Sequence, residues 1–279
     1  MINLVLFHAK SVKPFRPCMD GLFAAWAAQL RFPQAKLIPA CYGTPPILKL
    51  KKGDRIFLLD LTYPAPILES WADTGADVVV LDHHKQAMQD LQYLGDRVYK
   101  IFDMNRSGAV IAWEFFHPEI EAPKLFHYVQ DRDLWTKQLP GCDLVSLGLG
   151  EKLDDLAVEQ AIALLPSLKV DELMMLGATA NEEVKAAIAY AVAHHSTRCV
   201  IGNVVPFFKC RTPRQNQAYS DIGHALCQAN PKAPFAVVQT GGGWALRSEN
   251  DRADVSAISK MMGGGGHRNA SGCRAELPC

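Results

Sequence analysis

A parallel α/β sheet with crossover helices, leading through a helical stretch into a second and smaller α/β domain, is the architecture the sequence predicts. Three observations carry it. Short apolar runs alternate with amphipathic stretches through about residue 115, several of those runs stop abruptly at His or Asp, and the pattern turns strand-like again after His194-His195. Residues 2–7, 36–40, 55–59, 77–81 and 97–102 read as strands, while residues 22–30, 66–72 and 109–116 carry apolar side chains at helical spacing. Residues 122–193 read as mostly helical, most clearly at 125–129, 156–165 and 182–193, the last an alanine-rich spacer. Beyond it, strands are expected at 199–205, 235–239 and 244–246 and helices at 220–228 and 255–262. The expected division is a first domain over 1–180, a linker over 181–196 and a second domain over 197–279.

The chain has 279 residues, 49% of them hydrophobic, enough for one large or two ordinary domains. Its 29 basic and 29 acidic side chains balance, which argues against a surface for long duplex nucleic acid and favours short or small phosphate substrates. No charge-free apolar stretch of ~18 residues occurs, and the N-terminal run is too short for a signal peptide. A cytoplasmic protein without membrane contact is the expectation. Eight cysteines lie scattered without a CxxC pair, so reduced, half-buried thiols are expected rather than a zinc knuckle or a disulfide framework.

Open α/β sheets bind ligands at the carboxyl ends of their strands. Here the strand-like runs end at His8, at Asp60 and at Asp82, the last followed by His83 and His84. Carboxylate oxygen with imidazole nitrogen suits Mn²⁺ and similar ions, and a pair of such ions can drive phosphoryl displacement. The plainer explanation of Asp82-His83-His84 is a helix cap followed by surface histidines. Asp60 offers two oxygens to one crevice, or caps the helix after Pro64. Asp20 enters a helix beside Gly21, where a glycine permits close backbone approach to a ligand. Asp131 follows a helix and shares its loop with Asp133.

Residues Gly263, Gly264, Gly265 and Gly266, followed by His267, Arg268 and Asn269, read as a backbone nest leading into a helix N-terminus. Such a nest holds phosphate, with His267 and Arg268 as charge-assisted donors. Ser107-Gly108 is expected to start the helix at 109–116, with its hydroxyl near phosphate. Trp26, Trp71, Trp113 and Trp135 read as core residues and Trp244 as a stacking platform.

Cys-Met-Asp-Gly, Leu-Leu-Asp, Leu-Asp-His-His, Val-Gln-Asp-Arg-Asp-Leu-Trp and the glycine run with His-Arg-Asn-Ala-Ser-Gly occur in that order across nearly the whole chain. In this they resemble the DHH phosphoesterase superfamily with its associated C-terminal domain, in the short-oligonucleotide and phosphoadenosine phosphatase branch. The resemblance implies a catalytic α/β lobe with two Mn²⁺ ions, Mg²⁺ or Co²⁺ being alternatives, and a substrate-binding lobe across a cleft. Carried onto this sequence it makes Asp20, Asp60, His83 and Asp131 metal ligands, with Asp60 the bridge and Asp131 preferred to Asp133. Asp82 is a ligand or orients His83, and His84 contacts the scissile phosphate or protonates the leaving oxygen. Arg247, Gly264, Gly265, Gly266, His267 and Arg268 become substrate-binding.

The first motif departs from the family's His-x-Asp-x-Asp-Gly, since Arg16 and Cys18 stand where His and the first Asp are usual. His8 supplies the imidazole if residues 9–16 loop out and back, and Cys18 either faces metal or packs beneath the loop. The implied activity is exonuclease-like: hydrolysis of short oligonucleotides, dinucleotides or nucleoside bisphosphates by a metal-activated water. A nucleotide-binding protein weakened in catalysis and an inorganic pyrophosphatase or polyphosphatase are the alternatives. A homodimer is compatible with either.

Overall fold

The computed structural model describes residues 2–279, which form two compact units divided between Thr179 and Ala180. The first contains, in order, β1 (Asn3–Val12), β2 (Phe15–Pro17), α1 (Met19–Arg31), β3 (Lys36–Ala40), β4 (Arg55–Leu59), α2 (Ala65–Asp73), β5 (Asp77–Asp82), α3 (Lys85–Asp90), β6 (Val98–Phe102), α4 (Gly108–Phe116), α5 (Lys124–Asp133), α6 (Cys142–Leu153) and α7 (Val158–Leu164). Helix α8 (Val170–His194) begins in this unit and ends in the second.

Strands β3, β1, β4, β5 and β6 pair side by side and all in parallel. Alternation along each strand loads both faces of the sheet with apolar residues, as burial on two sides requires. Val5, Phe7, Phe57, Leu59 and Leu81 join α1, α4, α5 and α6 in one core, while Leu4, Leu6, Ile56, Leu58, Val78 and Val80 join Leu68, Trp71 and Ala72 of α2 in the other. Helix α1 is buried continuously from Asp20 to Ala28. Its alanines let it lie close to α4, and at Gly21 an added Cβ would stand 2.3 Å from the His8 carbonyl. Gly21 therefore serves helix-on-strand approach rather than ligand approach, a correction to the sequence expectation.

Residues 9–16 do loop out and back. Strand β1 runs past the end of β3, turns, and returns as β2, an antiparallel ribbon that delivers Cys18 to the start of α1 beside His8. Arg16, which occupies the usual histidine position of the first motif, donates to the Asp154 carbonyl at 2.5 Å and pairs with Asp155, so it anchors this ribbon.

The second unit contains β7 (Ser196–Val200), β8 (Asn203–Lys209), α9 (Pro213–Gln217), α10 (Tyr219–Ala229), β9 (Ala236–Thr240), β10 (Gly243–Arg247), α11 (Val255–Met261), β11 (Gly265–His267) and β12 (Ala270–Cys273). The sheet order is β11-β12-β10-β9-β8-β7, antiparallel except for the β8–β9 pair. The single strand expected at 199–205 is two, because Ile201 and Gly202 take φ of 48° and 69° and make a two-residue hairpin turn. Trp244 is not a free platform: it lies in the core, 7% exposed, beneath the Arg198 guanidinium. Cys199 and Cys279 form a disulfide, contrary to the expectation of reduced thiols; the other six cysteines are free. No helix among the described residues is long and apolar enough to cross a membrane.

Candidate metal centre

The order β3-β1-β4-β5-β6 reverses direction between β1 and β4, because β1 connects onward to β3 on one side while β4 leads to β5 and β6 on the other. Loops leaving the carboxyl ends of β1 and β4 diverge at such a switch point and leave a crevice. His8 and Asp60 flank it. Asp60 follows β4 directly and takes φ of 54°, the left-handed region that costs most non-glycine residues free energy and that aspartate tolerates better than most. Its amide donates to the Leu81 carbonyl at 3.0 Å, which holds the kink against β5.

Around Asp60 the sheet and two helices bring together side chains far apart in sequence. His83 Nε2 lies 3.3 Å from Asp60 Oδ1, 3.5 Å from Asp20 Oδ2 and 3.5 Å from Asp133 Oδ2. On the other side of Asp60, Oδ2 is 3.3 Å from His8 Nδ1 and 3.5 Å from Cys18 Sγ. The ligand atoms of Asp20, His83 and Asp133, and those of His8, Cys18 and Asp60, lie within 4.8 Å of one another in each group. A third group, Asp60, Asp82, His83 and His84, overlaps them.

Asp20 is fixed by a second helix. Its Oδ2 and Oδ1 accept the Gly108 and Ala109 amides at 2.6 and 2.9 Å, so this carboxylate of α1 faces the positive end of α4. Only glycine fits at 108: a Cβ there would stand 2.6 Å from Asp60 Cβ and 2.9 Å from Asp20 Oδ2. Ser107 Oγ accepts the Val110 amide at the N-cap of α4.

Asp82 closes β5 and is fully buried. Its Oδ1 accepts the His83 amide at 2.8 Å and His84 Nδ1 at 2.7 Å, so the residue it orients is His84 rather than His83, a correction to the sequence expectation. The Tyr42 hydroxyl stands 3.2 Å from His84 Nε2 and donates to the Asp60 carbonyl at 3.2 Å.

The fourth motif needs the larger correction. Asp131 accepts the Thr136 hydroxyl at 2.6 Å, the Gln138 amide at 2.8 Å and the Leu139 amide at 2.9 Å, and so closes the turn after α5. Its oxygens are committed to that turn, and Asp133 stands in the cluster instead. Two residues on a helix lie about 200° apart around its axis, so only one of the two could face the crevice.

Electrostatics follow from this crowding. Burial favours neutral imidazoles, yet the carboxylates reverse it: Asp60, Asp133 and Asp20 raise His83 well above its ordinary range, and Cys18 and Asp60 raise His8 likewise. Asp60 is held well below the usual carboxylate range, against the cost of its burial, by His8 and His83. Asp20 is pushed up by burial and by Asp60 and Asp133, and Asp133 is pushed up because burial outweighs the pull of His83. Burial with the Asp82 and Asp60 charges raises Tyr42, keeping its phenol protonated.

The residues fit divalent cations. Contacts of 3.3–3.5 Å around His83 Nε2 exceed an ordinary N–H···O hydrogen bond, about 2.7–3.2 Å. They match the edge between two ligand atoms each about 2.1 Å from one ion, roughly 3.0–3.5 Å. Buried Oδ2 atoms of Asp82 and Asp133 accept no hydrogen bond, which the cost of an unsatisfied buried carboxylate makes unusual.

The second unit places its expected residues differently. Glycines 263–266 are no nest before a helix. Gly263, at φ 70°, and Gly264, whose amide donates to the Ser259 carbonyl at 2.8 Å, terminate α11, and Gly265 and Gly266 enter β11. Strand β12 follows where a helix was expected, because residues 270–273 pair with β10 and residues 270–272 with β11. A Cβ on Gly264 would stand 2.0 Å from the Gly272 carbonyl, and one on Gly266 2.6 Å from the Ala270 carbonyl. Arg268 donates to the Asn250 and Arg252 carbonyls and lies 3.7 Å from Asp254. His267 ends β11. Arg247, 8% exposed, donates to Ser220 Oγ and to the Leu246 and Ser271 carbonyls.

No family model matches the sequence. An uncharacterized protein, R106, of Acanthamoeba polyphaga mimivirus is 31% identical over 231 residues, 79% of this chain and 53% of that protein, so the chain spans about half the length of this relative. Among solved structures, RecJ exonuclease bound to manganese superposes with a TM-score of 0.51 at 15% identity over 98% of this chain and 86% of its own. The pGpG-specific phosphodiesterase PggH of Vibrio cholerae gives 0.50 at 14% identity over 98% and 92%. RecJ of Thermus thermophilus in complex with Mn²⁺ gives 0.52 at 13% identity over 98% and 49%. The chain shares the fold of these RecJ and PggH structures, in keeping with the resemblance to the DHH phosphoesterase superfamily read from its motifs.

Proposed function

We propose that the chain is a metal-dependent phosphoesterase that hydrolyses phosphate esters of short oligonucleotides, dinucleotides or nucleoside bisphosphates. The observation that carries this reading is a pair of ligand groups joined through Asp60, which belongs to one and stands 3.3 Å from His83 of the other, with buried Asp82 and Asp133 oxygens left over. Asp20, His83 and Asp133 would hold one ion and His8 another, with Asp60 between them. When bound, two divalent cations supply Lewis acidity that polarises water and neutralises charge on phosphate. His84, whose Nδ1–H donates to Asp82 Oδ1, presents Nε2, which in the imidazolium form donates to phosphate or hands its proton to the leaving oxygen, leaving the neutral ring. In the second unit, His267 and Arg247 are the groups proposed for substrate phosphate. Arg247 supports this because its hydrogen-bond partners are neutral oxygens, an unusual setting for a buried cation.

Likeness along nearly the full length of PggH supports dinucleotides within this substrate range. Purified protein with Mn²⁺ should hydrolyse pGpG or bis-(p-nitrophenyl) phosphate, and His83→Ala should abolish turnover. Undiminished turnover in that variant would reject the assignment.

A further inference from the structure

Cys18 occupies the N-cap of α1 with extended backbone angles, φ −80° and ψ 127°, a position where Ser, Thr, Asp or Asn normally accepts a backbone amide. Its side chain makes no cap hydrogen bond. The thiol turns instead to the Asp60 carboxylate, 3.5 Å away. The other free cysteines behave otherwise: Cys41, Cys142, Cys210, Cys227 and Cys273 each direct sulfur to a backbone carbonyl. Among the described residues Cys18 is the one cysteine grouped with a histidine nitrogen and a carboxylate oxygen within 4.8 Å. Sulfur about 2.3 Å and oxygen about 2.1 Å from one tetrahedral ion would stand roughly 3.6 Å apart, close to the spacing found. The fully buried Asp82, grouped with the same Asp60 and with His83 and His84, keeps an Oδ2 without a hydrogen-bond partner.

We infer that Cys18 is a metal ligand, and that the two cation positions differ in kind: His8, Cys18 and Asp60 form a softer nitrogen, sulfur and oxygen site, whereas Asp20, His83 and Asp133 form a harder one. Thiolate ligands select thiophilic ions such as Zn²⁺, Co²⁺ or Fe²⁺, and carboxylate-rich sets accept Mn²⁺ or Mg²⁺. The protein is thus built for two unlike ions. This inference rests on the metal-centre reading above, and it goes further in assigning sulfur to one site.

Titration of the metal-free protein with Co²⁺, followed by absorption spectroscopy, tests it without any assay of turnover. Sulfur-to-cobalt charge-transfer absorption in the near ultraviolet should rise with one of the two ions bound and should be missing in Cys18→Ser and in Cys18→Asp. The aspartate variant, which restores an oxygen ligand, should still bind two ions and should lose preference for Co²⁺ over Mn²⁺ by about tenfold or more. Two bound Co²⁺ ions without a sulfur band, or a band that survives in Cys18→Ser, would overturn the inference and leave the binuclear centre standing. Failure of the folded protein to bind Co²⁺ at all would overturn both.

Discussion

The strand ends of the first unit and the glycine hairpin of the second both gather polar residues, but they treat them in opposite ways. Around Asp60, buried carboxylates and imidazoles stand at distances too long for good hydrogen bonds, and two carboxylate oxygens accept no hydrogen bond. Around β11 and β12, Ser259 and Ser271 bond each other at 2.7 Å, Arg268 is tied to carbonyls, and the glycines fit against neighbouring backbone. Polar groups that satisfy one another stabilise a fold. Polar groups crowded without mutual satisfaction mark a place designed for something the chain does not itself supply, and they cost stability until it arrives.

That contrast predicts opposite phenotypes. The largest effect belongs to Asp60→Asn, which should lower phosphodiesterase activity about a thousandfold or more through loss of several kcal/mol of charge stabilisation. Steady-state kinetics with Mn²⁺ checks it, and a variant that keeps its activity would break the comparison. Asp82→Asn, acting through His84, should cost about 10–100-fold in kcat with KM little changed. Conversely, Gly264→Ala should destabilise the second unit by at least about 1–3 kcal/mol, as denaturant titration would show, because its Cβ meets the Gly272 carbonyl.

The last turn of α5 sharpens the contrast between two residues of one helix. Asp131→Asn should lose about 2 kcal/mol of stability yet keep its metal stoichiometry, whereas Asp133→Asn should lose metal and keep stability. The smallest effect concerns Asp254, which caps α11 through the Ser256 amide. Its carboxyl is held below the usual range, by Ser256 against the cost of partial burial, so its contribution is present above pH ~4 and disappears as pH falls through the lowered value. Asp254→Ala should therefore cost about 1 kcal/mol at neutral pH, and melting curves of variant and wild type should converge in acid.

The ends of β4 and β5 were legible because short uninterrupted apolar runs stop at Asp60 and Asp82, whereas the expected stop at His8 marks only the end of the pairing between β1 and β3, β1 itself running on to Val12. The choice between Asp131 and Asp133 was not, since it depends on which side of α5 faces the sheet. Tyr42 and Gly108 carried no local signal: one belongs to a coil after β3, and the other matters only because α4 starts against Asp60 and Asp20. The glycine run departs from the phosphate nest its sequence suggests for a physical reason. Glycines that receive phosphate and glycines that let two strands touch are alike in sequence, and only pairing with Gly272 and Ala270 separates them.

Diffraction from crystals soaked in Co²⁺, with anomalous difference maps, reaches the central claim most directly. Two peaks about 3.5–4 Å apart are predicted, on either side of Asp60, one among Asp20, His83 and Asp133 and one beside His8. A single peak at Asp131, or ordered crystals with no peak near Asp60, would contradict it.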